Sequence, residues 1–289
     1  MSEDLRPRRS VLYMPGANER ALEKAKTLDA DALILDLEDA VAPDAKEEAR
    51  ERVCAAARSG EYGKREITIR CNGLETRWHA DDVAAIAKAG PDAIVVPKVN
   101  SADDVHAVER ALEQAGAPDH LKIWAMVETP VAMLHAEQIA LASDRLAAFV
   151  MGTNDLAKEL QAEHVPGRQP LLAGLGLALL AARATGKLIL DGVYNDLEDE
   201  EGFEAECHQG RQMGFDGKTL IHPKQLEPVN RIFAPTVDEV ERAREIIEAF
   251  EQAEREGRGV VTVGGRMIEN LHVDQARQTL AQHEAIQAM

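Results

Sequence analysis

The sequence predicts a (βα)8 barrel, in which eight parallel strands close into a cylinder and a helix follows each strand. Eight short apolar, β-branched runs recur along the chain, and the stretches between them carry apolar residues at helical spacing. The chain has 289 residues, and a barrel of this type takes about 250. We therefore expect a barrel domain over residues 1–235 and a C-terminal extension over residues 236–289.

Each of the eight apolar runs is expected to form one barrel strand. In chain order they are Ser10–Met14, Ala32–Leu37, Glu66–Cys71, Ala93–Pro97, Lys122–Val127, Ala147–Gly152, Leu188–Asp191 and Lys218–Ile221. Several of the connecting stretches begin with Asp, Asn or Ser, whose side chains cap helix N-termini. The expected helices include Asn18–Leu28, Asp44–Arg58, His79–Ala89, Ser101–Ala115 and Pro130–Ala142.

The C-terminal extension has a pattern of its own. A charged helix is expected from about Asp238 to Glu256, followed by a glycine-punctuated, strand-like stretch over Gly259–Ile268 and a terminal helix from about Val273. The extension is therefore expected to be an ordered addition to the barrel rather than a linker.

Composition excludes several classes of protein. The net charge is −18, from 33 basic against 51 acidic residues, and aromatic residues make up 3%. A broad basic surface for nucleic acid or anionic lipid is therefore not expected. The most apolar segment, Leu171–Ala182, is far shorter than the ~20 residues that span a bilayer, and no signal peptide is indicated. Three cysteines without a CxxC motif fit a reducing cytoplasm.

Polar residues follow the predicted strands, at the end where barrel enzymes carry their chemistry. Glu128 follows strand five and Asp155 follows strand six, so both carboxylates are expected at one rim. Because Mg²⁺ is bound in proteins by one or two carboxylates together with water and substrate oxygens, the pair is a candidate metal site. The alternative is that both residues only cap the helices that follow them.

Three basic residues are candidates for holding an anion. Arg70, at the end of strand three, could hold a carboxylate or a thioester oxygen, or could form a structural ion pair with Asp36 or Glu38. Arg20 and Lys24 lie one turn apart on the first predicted helix and could bind phosphate, or could simply be solvated.

Other conspicuous features are interpreted as structural. The Gly174-Leu-Gly176 sequence lacks the third glycine of a dinucleotide-binding motif and indicates close helix packing. The acidic run Asp196–Glu206 is interpreted as solvated surface, and Cys54 and Cys207 are interpreted as packing residues.

Taken together, the motifs resemble one known family. They are Arg9-Ser-Val-Leu-Tyr-Met-Pro-Gly16, Leu35-Asp-Leu-Glu-Asp-Ala-Val41, Ile69-Arg-Cys-Asn-Gly73, Val96-Pro-Lys-Val99, Val127-Glu-Thr129, Gly152-Thr-Asn-Asp155 and Gly214-Phe-Asp-Gly-Lys218 with Ile221-His-Pro223. In this order they resemble the citrate lyase β-subunit-like branch of the HpcH/HpaI aldolase family, from about Arg9 to Ala281. Within the branch, Met151–Leu160, Asp191–Glu206 and Met267–His272 look most like members that hydrolyse (3S)-malyl-CoA.

The resemblance implies a Mg²⁺-dependent barrel, with Mn²⁺ as a substitute, that acts on CoA esters of hydroxy acids. It implies a homotrimer or hexamer in which the C-terminal extension is a lid reaching the active site of a neighbouring subunit. Residues that match family positions carry implied roles: Glu128 and Asp155 as metal ligands, Arg70 as the substrate-orienting arginine, Tyr13, Arg20 and Lys24 as residues holding the CoA ester, and Thr219 and Leu220 as a backbone stretch along it.

The sequence departs from the family pattern in the lid. Lyases of the family usually read Gly-Lys-Met-Ile-Asp there, with the Asp as catalytic acid/base, whereas this chain reads Gly265-Arg-Met-Ile-Glu269. The longer side chain moves the carboxylate, and a displacement of about 1 Å can cost about a hundredfold in rate. We therefore expect a hydrolase that converts (3S)-malyl-CoA to malate and CoA, with Glu269 as general base. The alternatives are a lyase that cleaves malyl-CoA or citramalyl-CoA, and a citrate lyase β-like subunit that uses a carrier-bound acyl group.

Overall fold

Eight parallel strands close into a barrel and follow one another around it in chain order. The computed structural model describes residues 6–256 and 261–289. The strands are β1 (Ser10–Pro15), β2 (Ala32–Asp36), β3 (Glu66–Arg70), β4 (Ala93–Val96), β5 (Lys122–Val127), β6 (Leu146–Met151), β7 (Leu188–Asp191) and β8 (Gly217–Leu220). The predicted (βα)8 fold is confirmed, and each strand end lies within one residue of the predicted position.

Helices connect the strands. They are α1 (Glu19–Ala25), α2 (Lys46–Arg58), α3 (His79–Ala89), α4 (Ala102–Gln114), α5 (Pro130–Leu134), α6 (Ala136–Ala140), α7 (Thr153–Leu160), α8 (Leu172–Ala184), α9 (Glu200–Met213) and α10 (Leu226–Phe233). Short 3₁₀ segments lie at Pro43–Ala45, Gln169–Leu171 and Pro223–Gln225. Across the described ranges, every helix is too short or too polar to span a bilayer.

The extent of three predicted helices was wrong. The first ends at Ala25, because the amides of Thr27 and Leu28 bond to carbonyls three residues back instead of four. The second starts as the 3₁₀ turn Pro43–Ala45 and becomes α-helical only at Lys46. The predicted helix Pro130–Ala142 is two short helices, because His135 leaves helical geometry (φ −106°) and its Nδ1 donates to the Asn100 carbonyl at 3.0 Å.

The barrel interior is filled by alternate residues of successive strands. Val11, Ile34, Val95, Trp124 and Val150 belong to this buried cluster, and Tyr13 packs against it. Because the outer face of the strands is covered by helices, residues on both faces are buried, and β2 is buried along its whole length. This explains why the strands are continuous apolar runs in the sequence.

A buried charge network lies where β7 meets β8. The fully buried Lys218 ammonium donates to Asp191 at 3.2 Å, to the Gly192 carbonyl at 2.6 Å and to Glu206 at 2.7 Å. Arg168 also donates to Asp191, at 2.6 Å. Glu206 belongs to the acidic run that was interpreted as solvated surface, and that interpretation is wrong for this residue, because its carboxylate neutralises a buried cation.

The features interpreted as packing residues lie inside the barrel unit. A Cβ on Gly174 would lie 3.2 Å from Leu156 and 3.3 Å from Met133, so close helix packing is confirmed at that glycine. Around Gly176 no atom lies within 4 Å of such a Cβ. Cys54 and Cys207 are buried free thiols, and burial raises their pKa to about 11 and about 12, which confirms them as packing residues.

The chain divides into two compact units, of which Arg8–Asn230 is the barrel. The second comprises Arg231–Met289 with Arg6 and Pro7. Its elements are α11 (Val237–Arg255), the antiparallel strands β9 (Val261–Val263) and β10 (Arg266–Ile268), and α12 (Asn270–Gln287).

A small apolar core holds the second unit together, and Ile246, Ile268, Val273 and Ala276 are buried in it. Positive φ angles at Gly264 and Gly265 (56° and 76°) form the tight turn between the two strands. The first two residues of the predicted strand-like stretch, 259 and 260, lie outside the described residues. The terminal helix begins three residues earlier than predicted, at Asn270.

Candidate active site

One pocket of about 380 Å³ opens at the carboxyl ends of the barrel strands. Four of the residues predicted to be functional line it together: Tyr13, Arg70, Glu128 and Asp155. They come from the ends of β1, β3, β5 and β6, so the parallel barrel gathers at one rim residues that are far apart in the chain.

Glu128 is the buried carboxylate of the pocket, with 2% of its surface exposed. Its Oε1 accepts a hydrogen bond of 2.7 Å from the backbone amide of Lys98. Burial raises the pKa of Glu128 to about 7, and the charge of Asp155 acts in the same direction. The helix that follows is capped by Thr129, whose hydroxyl accepts from the amide of Ala132 at 3.0 Å, so Glu128 is not its cap.

Asp155 lies in the first turn of α7, a helix whose N-cap position is Gly152. Its side chain is 29% exposed, and Oδ1 is 3.7 Å from the ammonium of Lys98. Burial alone lowers the pKa of Lys98, but Asp155, Glu38 and Glu128 raise it, so the ammonium stays charged. Lys98 therefore contacts both carboxylates, one through its backbone and one through its side chain.

The two carboxylates are the residues that could hold a metal ion. Among residues 6–256 and 261–289, no three His, Cys, Asp or Glu side chains form a ready-made metal cage. A pair of carboxylates in an open pocket suits Mg²⁺, which retains several water molecules and is bound through one or two carboxylates. The Lys98 ammonium lies 3.7 Å from Asp155, so this carboxylate has a cationic side chain as its neighbour.

Arg70 is buried and surrounded by acids. Its Nε and Nη2 donate to the two carboxylate oxygens of Asp36 at 2.6 and 2.7 Å, and Nη1 is 2.8 Å from Glu38. Its guanidinium also lies over the ring of Tyr13, 4.9 Å from the centroid. Burial alone lowers the pKa of Arg70, but Asp36, Tyr13 and Glu38 together raise it well above its usual value. The ion pair considered as an alternative role is therefore present.

Burial also raises the pKa of Glu38, to about 7. The guanidinium of Arg70 opposes this shift, whereas Asp39 and Asp36 add to it. The carboxyl can thus exchange a proton near neutral pH while it lies beside Arg70.

The remaining predicted residues do not line the pocket. Arg20 and Lys24 are exposed on α1, which follows β1. Thr219 and Leu220 are buried in β8, and the Thr219 hydroxyl donates to the Asp191 carbonyl at 3.0 Å. Glu269, in the second unit, is exposed at the N-cap of α12, and its amide donates to Nδ1 of His272 at 3.0 Å.

Lys98 and Asp36 were not predicted as site residues. Both stand at strand ends, and both occur in the motifs quoted above, so the rule that placed Glu128 and Asp155 at the rim applies to them equally. Their contacts depend on the three-dimensional pairing of β2 with β3 and of β4 with β5.

Comparison with known proteins shows the family of the chain. The family model described as HpcH/HpaI aldolase/citrate lyase matches residues 9–223, and that described as a C–C bond lyase of the TIM-barrel fold matches residues 176–286. A (3S)-malyl-CoA thioesterase of Cereibacter sphaeroides is 54% identical over 100% of this chain and 99% of its own length. The citrate lyase subunit beta of Escherichia coli K12 is 38% identical over 96% and 94%.

Solved structures give the same result. The protein CitE from Mycobacterium tuberculosis, in complex with magnesium, acetoacetate and coenzyme A, superposes with a TM-score of 0.77 at 29% identity, covering 96% of this chain and 98% of that one. Full-length similarity of sequence and of structure therefore agrees with the predicted fold. The chain belongs to the HpcH/HpaI aldolase/citrate lyase family.

Proposed function

We propose that this protein hydrolyses the thioester of (3S)-malyl-CoA to malate and coenzyme A, with Mg²⁺ as its cofactor. The observation that carries the proposal is the 54% identity, over the whole chain, with a (3S)-malyl-CoA thioesterase. The pocket supports it, because two carboxylates, an arginine and a tyrosine meet at the rim where a barrel enzyme acts.

Glu128 and Asp155 are the proposed metal ligands. When bound there, Mg²⁺ supplies the positive charge that attracts the carboxylate and hydroxyl oxygens of a malyl group. Glu128 is held for this by the amide of Lys98, so one carboxylate oxygen has a fixed position. Asp155 is the more exposed ligand, at the open side of the pocket.

Arg70 is proposed to bind the thioester carbonyl. In hydrolysis a water oxygen adds to the carbonyl carbon, negative charge develops on the carbonyl oxygen, and the sulfur of CoA leaves and is protonated. A guanidinium has five N–H donors. Nε and Nη2 each donate to Asp36 and Nη1 donates to the Met126 sulfur at 3.9 Å, so two donors are left for this oxygen. A fixed donor at this point stabilises the transition state more than the substrate.

Glu269 is proposed as the general base that accepts the proton of the attacking water. We further propose that it comes from a neighbouring subunit of a homotrimer, with the C-terminal unit as a lid. Arg20, Lys24 and Tyr13 are proposed to hold the CoA ester, and Thr219 and Leu220 to lie along it. Mn²⁺ is proposed as a substitute for Mg²⁺.

A lyase is the second candidate, since the chain is 38% identical to a citrate lyase subunit beta and matches a C–C bond lyase model. In that reaction the base removes the hydroxyl proton, the bond between the second and third acyl carbons breaks, and Arg70 stabilises the acetyl-CoA enolate. A carrier-bound acyl group, as substrate of a citrate lyase-like complex, is a third reading.

The test is a product analysis with the purified full-length protein, (3S)-malyl-CoA and Mg²⁺. We expect equal amounts of free thiol and malate, and no thiol when Mg²⁺ is removed by chelation. The variant Glu128→Gln, which keeps the shape of the side chain, serves as the inactive control. Acetyl-CoA together with trapped glyoxylate would establish the lyase instead, and turnover only of an acylated carrier protein would establish the third reading.

A further inference from the structure

Lys98 has an unusual backbone conformation in the turn that follows β4. Its φ is +52°, and among the described residues only Gln161 and Arg168 are other non-glycine residues with positive φ. Gln161 is the C-cap of α7, where this conformation is ordinary. Lys98 instead follows β4 at the rim of the barrel, and an unusual conformation of this kind is more often kept at functional sites.

The conformation has a visible consequence for Glu128. Pairing between β4 and β5 ends at Val96 and Ala125. The next two backbone amides have different acceptors. The amide of Lys98 donates to the Glu128 carboxylate at 2.7 Å, whereas the amide of Val99 donates to the Met126 carbonyl of β5 at 3.2 Å. The backbone at Lys98 is thus diverted from the sheet to a side chain that is almost completely buried.

The Lys98 ammonium reaches the other carboxylate. Its Nζ lies 3.7 Å from Asp155 Oδ1, and half of the side chain is exposed to solvent. An exposed ion pair is weak, so a divalent cation can displace the ammonium, but two positive charges cannot occupy the same carboxylate without repulsion. The ammonium and a metal ion therefore compete for Asp155.

We propose that Lys98 is a positioning residue for the cation site: its backbone amide fixes Glu128, and its ammonium occupies Asp155 until a divalent cation displaces it. The inference rests on the proposed role of Glu128 and Asp155 as metal ligands. It adds that the Lys98 ammonium lowers the affinity of the two carboxylates for Mg²⁺. The Lys98 amide raises this affinity, because it fixes Glu128.

The experiment is a calorimetric titration of the substrate-free, full-length protein with Mg²⁺ at constant ionic strength. Lys98→Met removes the ammonium and keeps the amide, and we expect it to bind Mg²⁺ about five- to tenfold more tightly than the wild type. A purely structural role of Lys98 would leave the Mg²⁺ affinity unchanged or lower it. Lys122→Met is the matched control: it removes a lysine from the amino end of β5, at the far rim, and should leave the affinity unchanged.

A second variant tests the backbone. Lys98→Val removes the same charge but carries a β-branched side chain, which strongly disfavours positive φ. We expect it to bind Mg²⁺ at least tenfold more weakly than Lys98→Met, because the amide moves away from Glu128. Equal affinities of Lys98→Val and Lys98→Met would overturn the backbone role. A Lys98→Met affinity equal to or below that of the wild type would overturn the competition.

The titrations distinguish an error in the proposed Mg²⁺ site from an error in the role of Lys98. If the wild type binds no Mg²⁺, the metal site itself is wrong and the inference falls with it. If the wild type binds Mg²⁺ with the same affinity as all three variants, only the role of Lys98 is wrong.

Discussion

Gly152 allows the side chain of Glu128 to lie against the backbone between β6 and α7. A Cβ at this position would lie 2.1 Å from Oε2 and 2.4 Å from Cβ of Glu128, far inside contact distance. Neither Glu128, which is buried, nor the start of the helix can give way without moving the carboxylate.

We therefore expect Gly152→Ala to lower the free energy of unfolding by about 1–3 kcal/mol, as overpacking does, and to weaken Mg²⁺ binding more than tenfold. Calorimetric titration and denaturant unfolding measure the two effects. Gly176→Ala in α8 is the control, because a Cβ there meets no atom within 4 Å. Unchanged Mg²⁺ affinity in Gly152→Ala would show that Glu128 is not a ligand or does not need this position.

The pKa of Glu38 makes a second prediction at the scale of one residue. The pKa of Glu38 is about 7 in the folded protein and 4.5 in its ordinary state. Between pH 4.5 and 7, Glu38 therefore holds a proton in the folded protein but not in the unfolded chain. Stability from this group is therefore complete below about pH 4.5 and is lost as the pH rises through about 7, by on the order of 3 kcal/mol.

Glu38→Gln removes this titration. Denaturant unfolding of both proteins from pH 5 to 7.5, in chelator, should show the wild type losing stability relative to the variant as the pH rises. The comparison reports the charge of Glu38 as a whole, which includes its contribution to the raised pKa of Glu128. Parallel curves would mean that Glu38 is already ionised at pH 5.

Whole strands were predictable because the barrel buries both of their faces. Runs such as Ala32–Asp36 are apolar throughout, so the sequence marks where they begin and end. The break in Pro130–Ala142 was not predictable, because it depends on His135 reaching the Asn100 carbonyl from a different strand–helix unit. Helix patterns report local spacing and carry no information on such a contact.

The same distinction applies to the site. Glu128 and Asp155 could be placed at the rim by their position after a strand, which is a local feature of the sequence. An ion pair of Arg70 with Asp36 or Glu38 was one of two alternatives left by the sequence. The choice depends on the register in which β2 pairs with β3, where Asp36 and Arg70 are direct partners. The contact of the Lys98 amide with Glu128 accompanies a positive φ at Lys98, which the sequence pattern does not reveal.

The segment after β2 gives a prediction at the scale of an element. Lys46, at the start of α2, is buried, and its ammonium donates to the carbonyls of Leu37 and Glu38 at 2.7 Å each. It also lies 5.3 Å from the ring centroid of Trp78. A single side chain from α2 thus anchors the loop that brings Glu38 to Arg70.

We expect Lys46→Met to lower the free energy of unfolding by about 2–3 kcal/mol, because two hydrogen bonds from a charged donor are lost. The rate of thiol release should also fall, since Glu38 and its partner Arg70 lose a fixed support. Lys88→Met, at an exposed position of α3, is the control for charge. If Lys46→Met is less stable but fully active, the loop after β2 does not have to be held by Lys46 for catalysis.

At the scale of the whole molecule, the two units carry different parts of the proposed machinery. Glu128 belongs to the barrel unit, and Glu269 belongs to the second unit. Two inactive variants, Glu128→Gln and Glu269→Gln, can be assembled into one oligomer. If the base acts within its own chain, this mixed oligomer stays inactive. If the base is supplied by a neighbouring chain of a closed, symmetric oligomer, some mixed sites regain both carboxylates.

For random assembly of equal amounts, about a quarter of the sites in a cyclic trimer receive an intact Glu128 and an intact Glu269 from different chains. Purification through both tags keeps only mixed trimers, and every mixed cyclic trimer has about one such site in three. We therefore expect the two variants, co-expressed with different tags and purified through both, to recover on the order of a third of wild-type thiol release. Each variant expressed alone should be inactive, and mixing the two after separate purification measures exchange between oligomers. Both substitutions preserve the size of the side chain, and recovery of mixed oligomers through both tags shows that the variants fold and assemble. Co-assembled variants without recovered activity would show that Glu269 acts in its own chain or not at all.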